Sequence, residues 1–298
     1  MPYRPNPRPT TLSTNTPGRR GRRTGFRAAL LTGSIATLLA VGVVGPAAAV
    51  AGTSEPSAGP AQPTATSLAR VTTAVLDLDH PARNPQVRGK DVPYDTASII
   101  KVDILATLLL QAQDAGRGLT QQERTLAEVM IEHSDNDAAT ALWREIGLAS
   151  GLEAANKRLG LSSTVGGAGG KWGLTRTTAT DQIRLLRAVF ADAGTSSSSE
   201  PVLTPASQTY IRTLMTRIAA GQSWGVSAAS DAGWALKNGW LQRTTTGLWD
   251  INSVGRVTSG THHYLVAVLS DGNASMQGGI EAVERAARAA VSAAGAAG

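Results

Sequence analysis

The sequence contains no cysteine and is poor in aromatic and charged residues. Phe, Trp and Tyr make up 4% of its 298 residues, and Asp, Glu, Lys and Arg make up 17%. Without cysteine, disulfide frameworks, thiolate metal sites and cysteine nucleophiles are all excluded. Hydrophobic residues still account for 42% of the chain, which is enough for a domain with a buried core.

Histidine is scarce as well, since the chain has only four. No pair of them has the spacing of a metal-binding motif. His262 and His263 are adjacent in sequence, so on a strand their side chains would point to opposite faces. We therefore expect no metal site and no cofactor.

The positive charge of the chain is confined to its N-terminus. The formal net charge is +6, but residues 1–52 contain seven arginines and no acidic residue. Subtracting those 7 from the 28 basic residues leaves 21 against 22 acidic ones, a net charge of −1. A body so close to neutral lacks the basic surface that nucleic-acid binding requires, so we predict no nucleic-acid partner.

Residues 1–51 have the three-part organisation of a secretory signal peptide. A basic cluster precedes the uncharged run 28–45, and small residues at 47–51 offer cleavage sites. The pair Arg22-Arg23 resembles a twin-arginine export signal. An uncleaved leader would instead be a membrane anchor, because the 18 residues of the uncharged run are just enough to span a bilayer. In both cases we expect the body to be secreted or otherwise outside the cytoplasm.

Residues 52–69 consist almost entirely of Gly, Ser, Thr, Pro and Ala. This composition cannot bury enough apolar surface to fold, so we expect a flexible linker there. The folded domain is predicted to span residues 70–294. Within it, the low-complexity stretch Thr195–Ser199 is typical of a surface loop.

The hydrophobic pattern of the domain places strands at both ends and helices between them. The predicted strands are Val71–Leu78, Trp234–Leu241, Leu248–Val257 and Tyr264–Ser270. The predicted helices are Ser98–Ala115, Thr120–His133, Asp137–Ile146, Gly151–Leu159, Thr177–Ala193, Pro205–Ala220 and Gly278–Ala294. The expected fold class is therefore α+β: an antiparallel β-sheet formed from both ends of the body, with flanking helices and an inserted all-helical subdomain.

Three polar groups stand in apolar surroundings, and the first is Ser98-Ile99-Ile100-Lys101. If a helix begins near Ser98, positions i and i+3 share a face, so the Lys101 amine can reach the Ser98 hydroxyl. The run that follows is apolar nearly all round, interrupted by Asp103, which predicts a buried helix. Burial lowers the pKa of a lysine toward neutrality and makes it a usable general base. A serine cap followed by a surface lysine is the alternative.

The second group, Ser134-Asp135-Asn136, follows a predicted helix, and the third, Lys237-Asn238-Gly239, lies in a strand-like stretch. Each has an ordinary structural explanation. Ser, Asp and Asn are favoured helix caps, and Asn-Gly is a common hairpin turn. The order of the three groups along the chain is more specific than any one of them.

With Ser-x-x-Lys, Ser-Asp-Asn and Lys-x-Gly in this order, the sequence resembles the penicillin-recognising serine hydrolases, the superfamily of class A β-lactamases and D,D-peptidases. Asp137-Ala138-Ala139 and Arg176-Thr177-Thr178 agree with the same family. The resemblance covers residues 70–294, and it implies a β-lactamase/transpeptidase-like fold.

The resemblance also implies a role for each residue of the three groups. Ser98 would attack an amide carbonyl to form an acyl-enzyme, Lys101 would accept its proton, and Ser134 would relay a proton to the leaving nitrogen. The backbone N–H groups of Ser98 and Trp240 would form the oxyanion hole. Substrate binding would fall to Asn136, Lys237, Asn238, Gly239 and Trp240.

Three features depart from the family pattern. No Asp or Glu lies between Glu153 and Asp181, the interval in which class A β-lactamases present the glutamate that activates water for deacylation. Asn238 replaces the usual Thr or Ser, so an amide would contact the substrate carboxylate. Only 36 positions separate Ser98 from Ser134, which predicts a more open cleft.

The mapping onto the family also concerns tryptophans and arginines. Trp172 and Trp240 are expected near the cleft, whereas the other four tryptophans are predicted to pack in the core. Arg243 and Arg256 are both candidates for the family's carboxylate-binding arginine, and the sequence does not distinguish them.

These residues predict a secreted, monomeric serine hydrolase that is acylated at Ser98 by β-lactams or D-Ala-D-Ala-like amides. Because a general base contributes roughly 10²–10⁴-fold to a rate, deacylation without the loop glutamate is expected to be slow. The alternatives are a D,D-carboxypeptidase or esterase acting on cell-wall peptides, and a non-catalytic module that binds cell-wall fragments. Membrane association is expected only if the leader is uncleaved.

Overall fold

The computed structural model describes residues 69–80, 82–190 and 201–296. The expected signal peptide, linker residues 52–68 and the Thr195–Ser199 loop lie outside the described residues. All described residues belong to one structural unit, which spans Pro63–Gly298. Within the described ranges, no helix is both long and apolar enough to cross a membrane.

Antiparallel strands from both ends of the domain pair in one sheet. The strands are β1 (Arg70–Asp77), β2 (Gln86–Arg88), β3 (Tyr94–Asp95), β4 (Arg176–Thr177), β5 (Gly233–Gln242), β6 (Trp249–Ser259) and β7 (His262–Asn273). The main sheet has the order β2-β1-β7-β6-β5, and β3 pairs with β4 separately. The first long strand thus lies beside the last, with Arg70 opposite Asp271 and Asp77 opposite Tyr264, as the sequence predicted.

The helices follow the predicted pattern to within a few residues at most of their ends. They are α1 (Ile100–Asp114), α2 (Gln121–Glu132), α3 (Asn136–Glu145), α4 (Leu148–Leu159), α5 (Ala179–Phe190), α6 (Pro205–Met215) and α7 (Met276–Ala296). Short 3-10 helices lie at Ala97–Ile99, Trp172–Leu174, Ala220–Gln222 and Gly225–Ala229. The start of α2 is fixed by a capping box, in which Thr120 and Glu123 satisfy each other's backbone N–H groups.

Alternating residues of the sheet bury two hydrophobic clusters on its two faces. On β7, Leu265, Ala267 and Leu269 join the cluster that contains α1, while Val266 and Val268 join the cluster that contains α7. Every residue of α1 from Ile100 to Leu110 is buried, because α2, α3, α4 and α6 pack around the helix and exclude solvent. The fold class is confirmed as α+β, with the sheet flanked by helices.

Candidate active site

Ser98 lies in the short 3-10 helix that leads into α1. The backbone enters this turn through Ala97, whose φ of 46° is in the left-handed region. Asn252 of β6 supports the turn from below, since its Nδ2 donates to the carbonyl oxygens of Asp95 at 2.9 Å and Thr96 at 3.1 Å. The Ser98 side chain is half-buried. Within the described ranges, no group is in hydrogen-bonding geometry with its hydroxyl.

Lys101 is fully buried on the first turn of α1. Its amine donates to the Ser134 carbonyl at 2.5 Å, the Ser134 hydroxyl at 3.1 Å and the Asn136 Oδ1 at 2.9 Å. Burial lowers the pKa of Lys101 to about 7, and the negative charge of Asp135 opposes the shift. The alternative of a surface lysine is therefore wrong, and an amine near neutrality lies one turn from Ser98.

The Ser134-Asp135-Asn136 group connects α2 to α3. Asp135 is the N-cap of α3, because its carboxylate accepts from the Ala138 N–H at 2.7 Å. Ser134 has a φ of 57°, and both it and Asn136 contact Lys101. The capping explanation therefore holds for Asp135. Its neighbours Ser134 and Asn136 instead form a polar centre with Lys101.

Lys237 reaches the same centre from the edge strand β5. It is fully buried, and its amine donates to the Ser134 hydroxyl at 3.0 Å and the Asn238 carbonyl at 3.0 Å. Burial lowers the pKa of Lys237 well below its ordinary value, and the nearby Lys101 lowers it further. The hairpin-turn alternative is wrong, since the pairing of β5 with β6 continues through Lys237 and Gly239.

Asn238 and Trp240 flank Gly239 on β5, and neither side chain is hydrogen-bonded to Lys101 or Ser134 in the described structure. The Asn238 side chain is fully buried, and its Nδ2 donates to the carbonyls of Gln222 at 2.7 Å and Trp224 at 2.9 Å. The amide expected at the substrate carboxylate thus anchors the 220–229 segment instead. Trp240 is half-buried, with its ring edge-on to Trp224 at 6.1 Å between centroids.

The segment 161–175 presents an aromatic ring to the site, and no carboxylate. The centroid of the Trp172 ring lies 4.9 Å from Lys101 Nζ. The two nearest carboxylates in sequence bind backbone groups of the segment: Glu153 accepts from Gly166 N–H at 3.2 Å, and Asp181 accepts from Ser163 N–H at 2.7 Å. Of the two tryptophans expected near the cleft, Trp172 is in direct contact with one of its residues.

Neither candidate arginine contacts these groups. Arg243 forms ion pairs with Asp95 and, at 2.6 Å, with Asp250. The Arg256 guanidinium lies 5.9 Å from the ring of Phe190 on α5. Two carboxylates therefore already neutralise Arg243, and Arg256 packs on a helix.

Three side chains of the described chain could hold a metal ion away from this centre. One ligand atom each from Asp77, Asp79 and His262 lie within 4.8 Å of one another. Two of these carboxylates are already within hydrogen-bonding distance of histidines, since Asp77 Oδ2 lies 2.9 Å from His80 Nδ1 and Asp79 Oδ2 lies 2.8 Å from His262 Nδ1.

Sequence reasoning missed Asn252 and the contact between Lys101 and Trp172. Asn252 had a partial signal, because it lies next to Ile251 in a predicted strand, and an amide that is buried there must be hydrogen-bonded. Nothing in the sequence links positions 101 and 172. Their contact depends on the path of the segment 161–175 over the turn Thr96–Ile99 that carries Ser98, which we call the nucleophile turn.

Comparison with known proteins identifies the family of the chain. A sequence profile described as the beta-lactamase enzyme family matches residues 118–294, more than half of the chain. A Mycobacterium tuberculosis protein named "Putative lipoprotein LppW" is 30% identical over 113 residues, which is 38% of this chain and 36% of that protein. The chain thus spans about a third of the length of the curated relatives it matches.

Solved structures share the fold at low sequence identity. A β-lactamase from Chitinophaga pinensis is 18% identical with a TM-score of 0.65, over 77% of this chain and 96% of its own. A mutant of PBP-A, solved as an acyl-enzyme complex with penicillin G, is 20% identical with a TM-score of 0.61, over 76% of this chain and 90% of its own. On the profile match and the fold together, the chain belongs to the β-lactamase enzyme family, within the penicillin-recognising serine hydrolases that its motifs predicted.

Proposed function

We propose that this chain is an extracytoplasmic serine hydrolase, acylated at Ser98 by β-lactams or D-Ala-D-Ala-like amides, that releases the acyl group slowly. The observation that carries the proposal is the convergence on Ser134. Its hydroxyl lies 3.1 Å from the amine of Lys101 and 3.0 Å from that of Lys237. Two buried amines beside one hydroxyl provide a path for a proton and a site for an anionic substrate group.

Acylation begins when Ser98 Oγ attacks the carbonyl carbon of the amide. The Lys101 amine takes the hydroxyl proton, for which it must be neutral and must give up one of its three hydrogen bonds. With a pKa of about 7, a large fraction of Lys101 is neutral at physiological pH. The N–H groups of Ser98 and Trp240 hold the oxyanion of the tetrahedral intermediate.

Collapse of the intermediate breaks the carbon–nitrogen bond. Ser134 donates its hydroxyl proton to the leaving nitrogen and regains a proton from Lys101. The proton that left Ser98 thus ends on the leaving amine, and both lysines return to their starting state. Lys237 holds the Ser134 oxygen throughout, with Asn136 orienting the Lys101 amine.

Deacylation is the slow step in this proposal. It needs a group that activates water beside the ester, and the segment 161–175 offers an indole there rather than a carboxylate. The Lys101 amine then has to perform this task as well. The loss of a dedicated base corresponds to roughly 10²–10⁴-fold in rate.

The proposed organisation of the chain has a signal peptide or anchor at 1–51, a linker at 52–69 and the hydrolase domain at 70–294, acting as a monomer.

A D,D-carboxypeptidase or an esterase is the second candidate function. Its support is the pairing of Arg243 with Asp95 and Asp250, since an ester substrate without a carboxylate needs no free arginine.

Intact-mass spectrometry after incubation with benzylpenicillin tests the proposal. We expect the wild type and a Ser292→Ala control, altered on the exposed face of α7, to gain the mass of one drug molecule and to keep it for many minutes. Ser98→Ala should gain none. If the wild type is labelled neither by benzylpenicillin nor by a D-Ala-D-Ala ester, the hydrolase proposal fails and a binding module is favoured. Rapid return to the free mass would contradict slow deacylation.

A further inference from the structure

We propose that Trp172 is a positioning residue that shields the Lys101 amine, and the acyl group on Ser98 beside it, from water. The inference rests on the proposed acylation of Ser98 and deepens it, because it names the residue that sets the state of the base and the lifetime of the adduct. The family resemblance places Trp172 near the cleft but assigns it no role.

The indole covers the side of Lys101 that its hydrogen bonds leave open. All three donors of the ammonium group are used, two toward Ser134 and one toward Asn136. The ring centroid lies 4.9 Å from the same nitrogen, within the range of a cation–π contact. Together these contacts leave the Lys101 side chain with no exposed surface.

The ring is held in place from two sides. Its Nε1 donates to Thr140 Oγ1 at 3.1 Å, and that hydroxyl donates to the Asn136 carbonyl at 2.8 Å, so the indole is tied to the helix that carries Asn136. On the other side, the Thr96 N–H donates to the Thr175 carbonyl at 2.8 Å. The segment carrying Trp172 is therefore fastened both to α3 and to the nucleophile turn.

The fold of the segment that carries Trp172 depends on Gly167. A Cβ at position 167 would lie 2.1 Å from the Lys171 carbonyl oxygen. Only a glycine lets the chain return so closely and present Trp172 at the start of the 172–174 turn. Gly167 therefore allows the close backbone approach that leads into the 172–174 turn.

The charged groups that face Lys101 do not account for the lowered pKa of its amine. Asp135 at the start of α3 favours the charged amine and raises its pKa, and Lys237 from β5 is the other ionisable group at the centre. Burial is the largest cause of the lowered Lys101 pKa. α1 itself supplies no acidic contact to the amine, and the segment 161–175 contains no carboxylate. The cover over the amine must therefore come from apolar surface, and Trp172 provides it.

Substitution of Trp172 by Phe, Leu and Ala tests the shield in the full-length protein. The pH midpoint of benzylpenicillin acylation and the lifetime of the adduct are measured for each variant, with Trp249→Ala on β6 as the matched control. In Trp172→Ala we expect the midpoint to rise by about one pH unit or more, toward the ordinary lysine value of ~10.4. The adduct should decay at least several-fold faster, because water reaches the ester. Trp172→Phe and the control should stay close to the wild type, and Trp172→Leu should lie between.

A folded Trp172→Ala with the wild-type midpoint and adduct lifetime would overturn the shield. If that variant does not fold, the comparison of Leu with Phe decides in the same way, since Leu covers less of the amine than Phe does. NMR titration of the Lys101 side chain in the wild type and in Trp172→Phe and Trp172→Leu gives a readout that needs no substrate. Failure of the wild type to form an adduct would overturn the proposed function, whereas equal Lys101 titration in all three proteins would overturn the shield alone.

Discussion

Gly239 of β5 lies directly against the backbone of Ser98. A Cβ at position 239 would be 2.8 Å from the Ser98 nitrogen and 2.7 Å from the Thr96 carbonyl oxygen. The edge strand therefore approaches the nucleophile turn as closely as two backbones can. In the proposed mechanism Trp240, the next residue of the strand, supplies the second N–H group of the oxyanion hole together with that of Ser98.

Gly239→Ala should impair acylation much more than folding. The added methyl group pushes β5 away from Ser98 and opens the proposed oxyanion hole, for which we expect a loss of ~10²-fold or more in the acylation rate. The matched control is Gly233→Ala on the same strand, where a Cβ would meet nothing within 4 Å. Stopped-flow acylation by a chromogenic cephalosporin measures both. Equal rates in the two variants would show that the close approach has no catalytic role.

The acylation rate should rise with pH through neutrality. The proposed base, Lys101, has its pKa lowered to about 7, and only the neutral amine can take the Ser98 proton. Below that pH the ammonium form predominates and the rate falls about tenfold per pH unit. Single-turnover acylation measured from pH 5 to 9 checks this. A rate that is flat from pH 5 to 9 would exclude Lys101 as the base, and a rate still rising tenfold per pH unit at pH 9 would show that its pKa is not lowered.

Asp103→Asn should stabilise the fold at alkaline pH. Asp103 is fully buried on α1, and burial raises the pKa of its carboxyl to about 7, while the neighbouring Asn156 amide opposes the shift. Between pH 4 and 7 the folded state therefore binds more protons than the unfolded state, so stability falls as pH rises through this window and stays low above it. An uncharged Asn removes this cost.

Thermal unfolding at pH 5 and pH 8 measures the effect of Asp103→Asn. The gain in melting temperature over the wild type should be several degrees at pH 8 and much smaller at pH 5. Asp114→Asn, altered at the exposed C-terminal end of the same helix, is the control and should change little at either pH. A gain that is independent of pH would mean that Asp103 is not protonated in the fold.

Asn238→Ala should weaken the fold rather than substrate binding. The side chain donates two hydrogen bonds to the carbonyls of Gln222 and Trp224, and loss of such buried partners costs about 1–3 kcal/mol. Urea unfolding and the concentration dependence of acylation separate the two roles. If stability is unchanged while half-maximal acylation needs much more substrate, then Asn238 contacts the substrate as the family resemblance implied.

The helical and strand pattern of the domain was largely readable from the sequence, because its signals are local. The capping box at Thr120 and Glu123 marks the start of α2, and the apolar run after Lys101 predicts a buried helix. The continuous apolar run Tyr264–Leu269 of β7 likewise predicts a strand covered on both faces. Each of these follows from residues within one or two turns of each other.

The centre of the site was readable for a different reason. Helical spacing already joined Ser98 to Lys101, but Ser134 and Lys237 lie far from them in sequence, and only the resemblance to a known family joined those two to the pair before the structure did. The direction of the Asn238 side chain, the support of the nucleophile turn by Asn252 and the position of Trp172 over Lys101 were not predictable. They depend on which face of a strand meets which loop, and no local pattern encodes that.

Tandem mass spectrometry of the penicillin-treated protein tests the central claim most directly. Trypsin releases residues 91–101 as one peptide, in which Ser98 is the only serine. We predict that the adduct maps to Ser98 in this peptide and is absent from the same peptide of Ser98→Ala. An adduct on any other residue, with Ser98 unmodified, would contradict the account.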